Sequence, residues 1–221
     1  GRESFVAFHC LPVRHGMTVG ELATLFAAQL ELEVDLQVIR VEGWRRSDFF
    51  DATGLPWINP SPNMRSLEEA ILYPGIGLLE MTNLSVGRGT ETPFEIIGAP
   101  WLDGVRLARE LTAQNLPGVR FVPVQFTPDA SKFSGELCRG INVVIVDRQT
   151  FKPIRTGLEI ARRIRILHPD DWKVAGYDRL LGNKQILDAV TNQKTVAEME
   201  AIYGPDLEKF RRTRAGYLLY K

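Results

Sequence analysis

Residues 73–101, YPGIGLLEMTNLSVGRGTETPFEIIGAPW, contain the side chains of this chain best suited to chemistry. The apolar residues 76–79 predict a short strand that ends at a carboxylate and opens into a polar loop. Ligands of open α/β sheets bind beyond the carboxyl ends of the strands, on loops that a rigid scaffold holds. We therefore predict an active site in this loop. Its candidate residues are Glu80, Asn83, Ser85, Arg88, Thr90 and Glu95.

Three carboxylates of this loop could take part in acid–base chemistry. Hydrolysis of a glycosidic bond normally uses two carboxyl groups, one as acid and the other as nucleophile or base. Glu80 directly follows apolar residues, where partial burial would favour the protonated form that a general acid needs. Alternatively, Glu80 pairs with a nearby Arg and shapes the loop. Glu95 could serve as the second carboxyl group or hydrogen bond to loop amides, and we expect Glu91 to be solvated.

Arg88 lies between Gly87 and Gly89, an arrangement that could bind an anion. Glycines let backbone amides approach a ligand, and Arg adds a charge that can bind in a bidentate manner. The alternative is a turn that needs positive φ at one or both glycines. The phosphate-binding patterns G-x-x-x-x-G-K-[ST] and G-x-G-x-x-G are both absent from the sequence.

Ser85 lies in N-L-S-V-G, which differs by one residue from the G-x-S-x-G elbow of serine hydrolases. Asn83 replaces the first glycine of that elbow, and His168 is the one histidine that follows Ser85 in the sequence. A serine esterase is thus a further alternative.

Two other features could belong to a binding site. His15 lies in R-H-G-M-T, ahead of a predicted helix, where it could contact a ligand or anchor the loop. Trp44, Trp57 and Trp101 fall at predicted strand ends or loops, where their rings could stack on a sugar or pack against the protein.

The elements that would position these residues alternate between strand and helix. Thr18 with Glu21 and Ser66 with Glu69 form T-x-x-E and S-x-x-E patterns typical of helix starts. Strands are predicted at residues 5–13, 36–41 and 76–79. This order predicts the end of a parallel, Rossmann-like α/β sheet over residues 1–99.

The sequence after residue 100 predicts a smaller α+β domain over residues 100–221. We place the boundary near residues 97–102. The predicted elements are a helix at 103–115, strands at 119–126 and 141–147, and helices at 154–167, 176–190 and 195–214.

The composition excludes several classes of protein. Lys+Arg and Asp+Glu balance at 27 each, so no bulk field would attract nucleic acid. Cys10 and Cys138, predicted to be buried thiols, are too few for a disulfide framework or a four-cysteine zinc site. No run of 18 apolar residues is present to form a membrane span. The chain opens without Met in a strand-like run, so we expect it to be part of a longer protein.

Long segments of the sequence resemble the NamZ-type exo-β-N-acetylmuramidases, a peptidoglycan-recycling family formerly of unknown function. The resemblance covers the C-terminal part of that family's length. The matching segments are RHGMTVGELA (14–23), GWRR (43–46), TGLPWINPSPNM (53–64), residues 73–101, GELCRGINV (135–143), DRQTFKP (147–153) and YLLY (217–220).

The resemblance implies hydrolysis of terminal, non-reducing β-linked N-acetylmuramic acid (MurNAc) from muropeptides or MurNAc-GlcNAc. It implies no metal or organic cofactor, a site in the cleft between two domains, and a periplasmic or secreted location. Glu80 and Glu95 would be the catalytic residues. Arg88 or Arg14 would bind the lactyl carboxylate of MurNAc, and Asn83 or Asn59 its N-acetyl group. The other substrate-binding residues would be His15, Ser85 and Thr90. A carbohydrate-binding fragment without turnover is the alternative.

Overall fold

In the computed structural model, residues 9–220 are described, and they divide into two units. The first unit is residues 57–202; the second combines residues 9–56 with residues 203–220. The strand predicted at residues 5–13 lies partly outside the described residues, and residues 9–13 are not in a strand. None of the described helices is both long enough and apolar enough to cross a membrane.

The structure contains seven α-helices and three strands within the described residues. Short 3-10 helices occur at Phe50–Thr53 and Gly77–Met81. The α-helices are α1 (Val19–Gln29), α2 (Leu67–Ile76), α3 (Gly104–Thr112), α4 (Pro153–Leu167), α5 (Asp178–Leu181), α6 (Lys184–Thr191) and α7 (Val196–Ala215), and the strands are β1 (Ile96–Ala99), β2 (Val119–Phe126) and β3 (Cys138–Ile145).

The sheet of the first unit is antiparallel, with strand order β1-β3-β2. Ile97 pairs with Ile141, and Phe121 pairs with Val143, so apolar side chains of neighbouring strands lie side by side. The fold is therefore mixed α/β, but the predicted parallel sheet is not found among residues 9–220. The pairing of β1 with β3 also joins residues on both sides of the predicted domain boundary.

The strand predicted at residues 76–79 is wrong, because these residues are helical. The Ser66–Glu69 capping box starts α2, and the chain continues from α2 into the 3-10 helix Gly77–Met81. Leu72, Ile76 and Leu79 are each at most 1% exposed and follow the spacing of one helix face. A four-residue apolar run fits a buried helix as well as a buried strand, so the run alone could not distinguish them.

The strand predicted at residues 36–41 is also absent. Its alternating apolar pattern is present, but Ile39 is 93% exposed and Val41 is 63% exposed. A strand requires a hydrogen-bonded neighbour, and the described residues provide none at this place.

Two glycines allow α2 and α4 to cross with their backbones in contact. A Cβ atom on Gly75 would overlap the carbonyl of Pro153, and one on Gly157 would overlap the carbonyl of Gly75. This contact sets the depth of α2 in the first unit, and therefore the position of the 3-10 helix that follows it. The surrounding core is built from Leu72, Ile76, Leu79, Ile97, Leu107, Leu111, Ile141, Leu158, Ile160 and Ile164.

In the second unit, Glu21 is a fully buried carboxylate in the capping box of α1. One oxygen accepts hydrogen bonds from Arg46 Nη2 at 2.5 Å and from the Leu219 amide at 2.6 Å. The other accepts from the Thr18 amide at 2.8 Å. Burial alone would raise the pKa of Glu21, but these partners outweigh it and lower the pKa to about 2. Trp44 packs edge-on against Tyr220 at 4.9 Å in the same unit.

The two cysteines differ in environment. Cys138, the first residue of β3, is fully buried, and burial raises the pKa of its thiol to about 11. Cys10 is exposed, contrary to the prediction, and it lies in an irregular segment outside the described helices and strands.

Gly157→Ala is expected to lower the free energy of unfolding by about 2–3 kcal/mol, because a methyl group would push the backbones of α2 and α4 apart. Urea unfolding measures the change. Gly216→Ala is the control, since a Cβ there would meet nothing closer than the Thr213 carbonyl at 3.8 Å. Equal stability of the two variants would contradict the proposed contact.

Glu21→Gln is expected to destabilise the protein by about 3 kcal/mol at neutral pH, since it leaves the half-buried Arg46 without its charge partner. The folded-state pKa of about 2 lies below the ordinary value of 4.5, so the carboxylate contributes stability above pH 4.5. That contribution is lost as the pH falls from 4.5 toward 2. The free energy of unfolding, measured across this pH range, should therefore change less with pH for Glu21→Gln than for the parent chain. Glu33→Gln, at an exposed position, should show the same pH dependence as the parent chain.

Candidate functional site

A cavity of about 200 Å³ lies in the first unit at the predicted loop. One side is formed by the 3-10 helix Gly77–Met81 and the residues that follow it, and the other side by the loop between β2 and β3. The structure thus brings three of the predicted residues to one cavity, together with two polar residues that were not predicted, Ser131 and Lys132. The lining residues are Glu80, Met81, Leu84, Ser85, Val86, Arg88, Ser131 and Lys132.

Glu80 and Arg88 form a bidentate ion pair at this cavity. Arg88 Nε donates to one carboxylate oxygen, and Arg88 Nη2 donates to the other at 3.2 Å. The Arg88 guanidinium also lies 5.1 Å from the ring centre of Phe94, a distance suited to a cation–π contact. The side chains of Glu80 and Arg88 are only 19% and 29% exposed. Pairing with Arg was one of the two roles considered for Glu80.

Lys132 places a second positive charge near Glu80. Its ammonium group donates a hydrogen bond to the main-chain carbonyl of Glu80. Burial is the largest influence on the pKa of Lys132 and lowers it; the Glu80 carboxylate opposes this shift, and Arg88 adds to it. The cavity therefore holds two cationic side chains and one anionic side chain.

The glycines around Arg88 adopt the positive φ that the turn interpretation requires: 82° at Gly87 and 79° at Gly89. Thr90 closes the turn, because its hydroxyl donates to the Gly87 carbonyl at 2.6 Å. A Cβ atom on Gly89 would overlap the backbone of Ala130. The structure therefore contains the turn, and the close approach at Gly89 places the loop of Lys132 beside Arg88.

Three of the six described non-glycine residues with positive φ lie near the cavity. Phe94, Ser131 and Phe133 have φ of 66°, 68° and 61°, the left-handed region that side chains other than glycine rarely adopt. Two of these residues flank Lys132 directly, and the third lies under Arg88. Such strain persists where the surrounding structure fixes it, and it is common at functional sites.

Ser85 lines the cavity but lacks the partners of a nucleophile. Its backbone forms a bridge to Gly98, and its Oγ accepts a hydrogen bond from the Gly87 amide at 3.2 Å. His168 is used elsewhere: its Nε2 accepts from the Asp103 amide at 3.3 Å, and its ring lies 5.4 Å from that of Trp101. The structure thus does not bring His168 to the cavity.

Asn83 connects two parts of the first unit. Its side-chain nitrogen donates to the Asp171 carbonyl at 2.9 Å, and its side-chain oxygen accepts from the Lys173 amide at 2.6 Å. Both ends of the amide are therefore engaged by backbone. Asn59, the other residue predicted to orient an N-acetyl group, is exposed.

Glu95 belongs to a different cluster from Glu80. It lies near the N-terminus of α2, where Ser66 hydrogen bonds to it and Glu68 and Glu69 are its charged neighbours. Burial raises the pKa of Glu95, and the charges of Glu69 and Glu68 raise it further. The structure therefore separates a carboxylate held by cations, Glu80, from one whose pKa is raised, Glu95. Glu91 is 98% exposed, as expected of a solvated carboxylate.

Arg14 and His15 lie in the second unit. His15 Nδ1 accepts a hydrogen bond from the Met17 amide at 3.1 Å, and its carbonyl accepts from Arg214 at 2.6 Å. Burial lowers the pKa of His15, and Arg214 lowers it further. These contacts favour the role of loop anchor, whereas Arg14 is exposed.

Lys132 and Ser131 were missed by the sequence analysis. They lie in a loop between two strands, and no local pattern links them to Arg88. The signal that was present is the matching segment GELCRGINV (135–143), which begins within this loop, three residues after Lys132. The part of the chain that the structure describes contains no cluster of three or more His, Cys, Asp or Glu suited to a metal ion.

The fold and cavity define a mixed α/β protein with a charged pocket beside a small antiparallel sheet. Residues 1–68 match the family model described as exo-β-N-acetylmuramidase NamZ, N-terminal, and residues 71–220 match the C-terminal model of the same family. The chain therefore belongs to the NamZ exo-β-N-acetylmuramidase family, which confirms the resemblance inferred from the sequence.

Known relatives agree with this membership. The chain is 41% identical over 220 residues to the peptidoglycan β-N-acetylmuramidase NamZ of Bacillus subtilis (strain 168). That match covers 98% of this chain and 53% of the relative, so the chain spans about half the length of the curated relative.

Two solved structures of DUF1343 family proteins from Bacteroides fragilis NCTC 9343 also match. One superposes with a TM-score of 0.90 at 30% identity, over 99% of this chain and 60% of that protein. The other has a TM-score of 0.67 at 24% identity, over 94% of this chain and 56% of that protein, and shows the fold alone.

Asn83→Ala is expected to reduce the free energy of unfolding by about 1–2 kcal/mol, because it removes two hydrogen bonds to backbone. Asn59→Ala is the matched control and should leave stability unchanged within about 0.5 kcal/mol. Urea unfolding of both variants decides between a structural role for Asn83 and a role in ligand contact alone. An Asn83→Ala protein as stable as Asn59→Ala would contradict the structural role.

Proposed function

We propose that this chain takes part in the hydrolysis of terminal, non-reducing β-linked MurNAc from peptidoglycan fragments such as muropeptides and MurNAc-GlcNAc. The proposal is supported by membership of the NamZ family and by the β-N-acetylmuramidase activity for which the Bacillus subtilis relative is named. The observation that carries it is the cavity at Glu80, because most of its lining residues belong to residues 73–101, the longest segment that resembles the family.

The proposed role of Arg88 is to bind the lactyl carboxylate that distinguishes MurNAc from neutral sugars. A guanidinium fork suits a planar carboxylate. Among the described residues, Glu80 occupies the Nε and Nη2 groups of Arg88, so Nη1 is left for a second acceptor.

The proposed acid–base residues are Glu80 first and Glu95 second. Glu80 lies at the cavity, but its two oxygens are held by Arg88 and would have to be released before it could transfer a proton. Glu95 has the raised pKa expected of a general acid. It belongs to the cluster at the start of α2, so its part in catalysis would require substrate to extend beyond the cavity.

We also propose that the N-terminal part of the chain contributes to a Rossmann-like domain and the C-terminal part to an auxiliary domain. The sequence predicts a change at residues 99–100. The changeover between the two family models, at residues 68–71, favours an earlier boundary, as does the pairing of β1 with β3.

The second candidate function is recognition of MurNAc without cleavage. It is favoured by the engagement of both Glu80 oxygens and by the location of Glu95 in another cluster. A chain with this arrangement could bind the sugar while lacking an assembled acid–base pair. A serine esterase is not supported by the contacts of Ser85 and His168.

Glu80→Gln is expected to lower kcat for a chromogenic β-MurNAc glycoside by at least about 100-fold, because general acid–base catalysis contributes about that much. Glu91→Gln is the matched control, since Glu91 is 98% exposed and should be dispensable. Release of the chromophore is measured for this chain and for a version extended to the length of the Bacillus subtilis relative.

Three results would separate the candidate functions. Cleavage by this chain that is lost in Glu80→Gln supports the glycosidase with its chemistry in these residues. Cleavage by the longer version alone, with MurNAc still bound by the short chain, supports the binding role for this part. Equal activity of Glu80→Gln and the parent would remove Glu80 from the mechanism.

A further inference from the structure

The cavity has an excess of positive charge. Arg88 and Lys132 both face Glu80, and no second carboxylate lines the cavity within the described residues. Both cations are partly buried beside a single anion, so a ligand with a negative charge would offset the excess positive charge. A ligand with one carboxylate would balance the two cations with two anions.

Lys132 is placed for such a ligand by strained backbone on both sides. Ser131 and Phe133 have φ of 68° and 61°, and the amide of Asp129 donates to the Gly89 carbonyl at 2.8 Å. The loop is therefore held against the Arg88 turn. Lys132 directs one N–H to the Glu80 carbonyl, and an ammonium group has two more to donate.

The cavity can also supply uncharged donors. Ser85 Oγ accepts from the Gly87 amide, which leaves its own hydroxyl hydrogen to donate. Ser131 lines the opposite side. Two cations and two hydroxyl groups form a set of donors suited to the oxygens of a carboxylate.

The size of the cavity limits what it can hold. Its volume of about 200 Å³ is below the roughly 300–1,000 Å³ of pockets that enclose a whole small molecule. It is large enough for a short acidic substituent, while the sugar ring that carries the substituent would stay outside.

We propose that Lys132 is a specificity-determining residue that, together with Arg88, binds the carboxylate substituent of an acidic amino sugar. This inference rests on the proposed function, and it adds the residue that separates acidic from neutral sugars. Glu80 stays paired with Arg88 and keeps both cations in place when the cavity is empty. The competing role for Lys132 is to hold the Glu80 carbonyl and nothing more.

The test compares binding of three probes by isothermal titration calorimetry: free MurNAc, its carboxyl methyl ester and N-acetylglucosamine. The parent chain should bind the free acid at least about tenfold more tightly than either neutral probe, as expected for charge-assisted hydrogen bonds. Lys132→Met should lose most of this preference, because only Arg88 remains to bind the carboxylate, without changing affinity for the ester. Lys132→Arg, which keeps the charge, should retain most of it.

Lys184→Met is the matched control, because it removes a charge from an exposed lysine at the start of α6. It should bind all three probes as the parent does. Equal affinity of the parent for the acid and the ester would overturn the inference, and so would failure of the parent to bind the acid. Loss of affinity for acid and ester alike in Lys132→Met, with an unchanged circular dichroism spectrum, would assign Lys132 the structural role instead.

Binding and turnover are measured separately, so the two proposals can fail independently. Cleavage of the chromogenic glycoside without preference for the acid would contradict the role of Lys132 alone. Preference for the acid without cleavage, in this chain and in the longer version, would contradict the glycosidase and leave the carboxylate site standing.

Discussion

The crossing of α2 and α4 is the constraint on which the first unit depends. Gly75 and Gly157 let the two backbones touch, and this contact fixes how deeply α2 lies in the core. The 3-10 helix Gly77–Met81 continues directly from α2, so its position follows from the same contact. Glu80 is thereby carried from the end of a buried helix to the wall of the cavity. The position of the Glu80 backbone therefore depends on an uncharged contact between two helices.

Beyond the 3-10 helix, the cavity wall is irregular backbone, and ion pairs and side-chain hydrogen bonds hold it together. Arg88 is held by the Glu80 carboxylate and the Phe94 ring, while Lys132 is held by the Glu80 carbonyl. Positive φ at Gly87 and Gly89 turns the chain tightly enough for the two loops to meet. The same ion pair orders the loop and forms part of the cavity wall.

The second unit contains a buried carboxylate that joins distant parts of its chain. Glu21 joins the start of α1, Arg46 and the amide of Leu219, three points far apart in the sequence. These partners belong to the segments RHGMTVGELA, GWRR and YLLY, which also carry the family resemblance. Part of that resemblance therefore reflects folding and not substrate recognition.

Local features could be read from the sequence with success because their causes are local. The capping boxes at Thr18 and Ser66 and the strand Val119–Phe126 lie where the sequence predicts them, since side chains within a few residues determine them. The pairing of strands is decided by distant partners. The apolar run at 36–41 therefore stays unpaired in the described chain, and the run at 76–79 joins a helix face.

The same distinction holds for the candidate site. The sequence by itself determined the family and the segment that contains Glu80, Ser85 and Arg88, because these residues share one polar loop. Tertiary structure alone decided that Arg88 pairs with Glu80, that Glu95 belongs elsewhere, and that Lys132 completes the cavity. The physical reason is that the charge balance of a cavity depends on which side chains folding brings together, and no spacing along the chain records that.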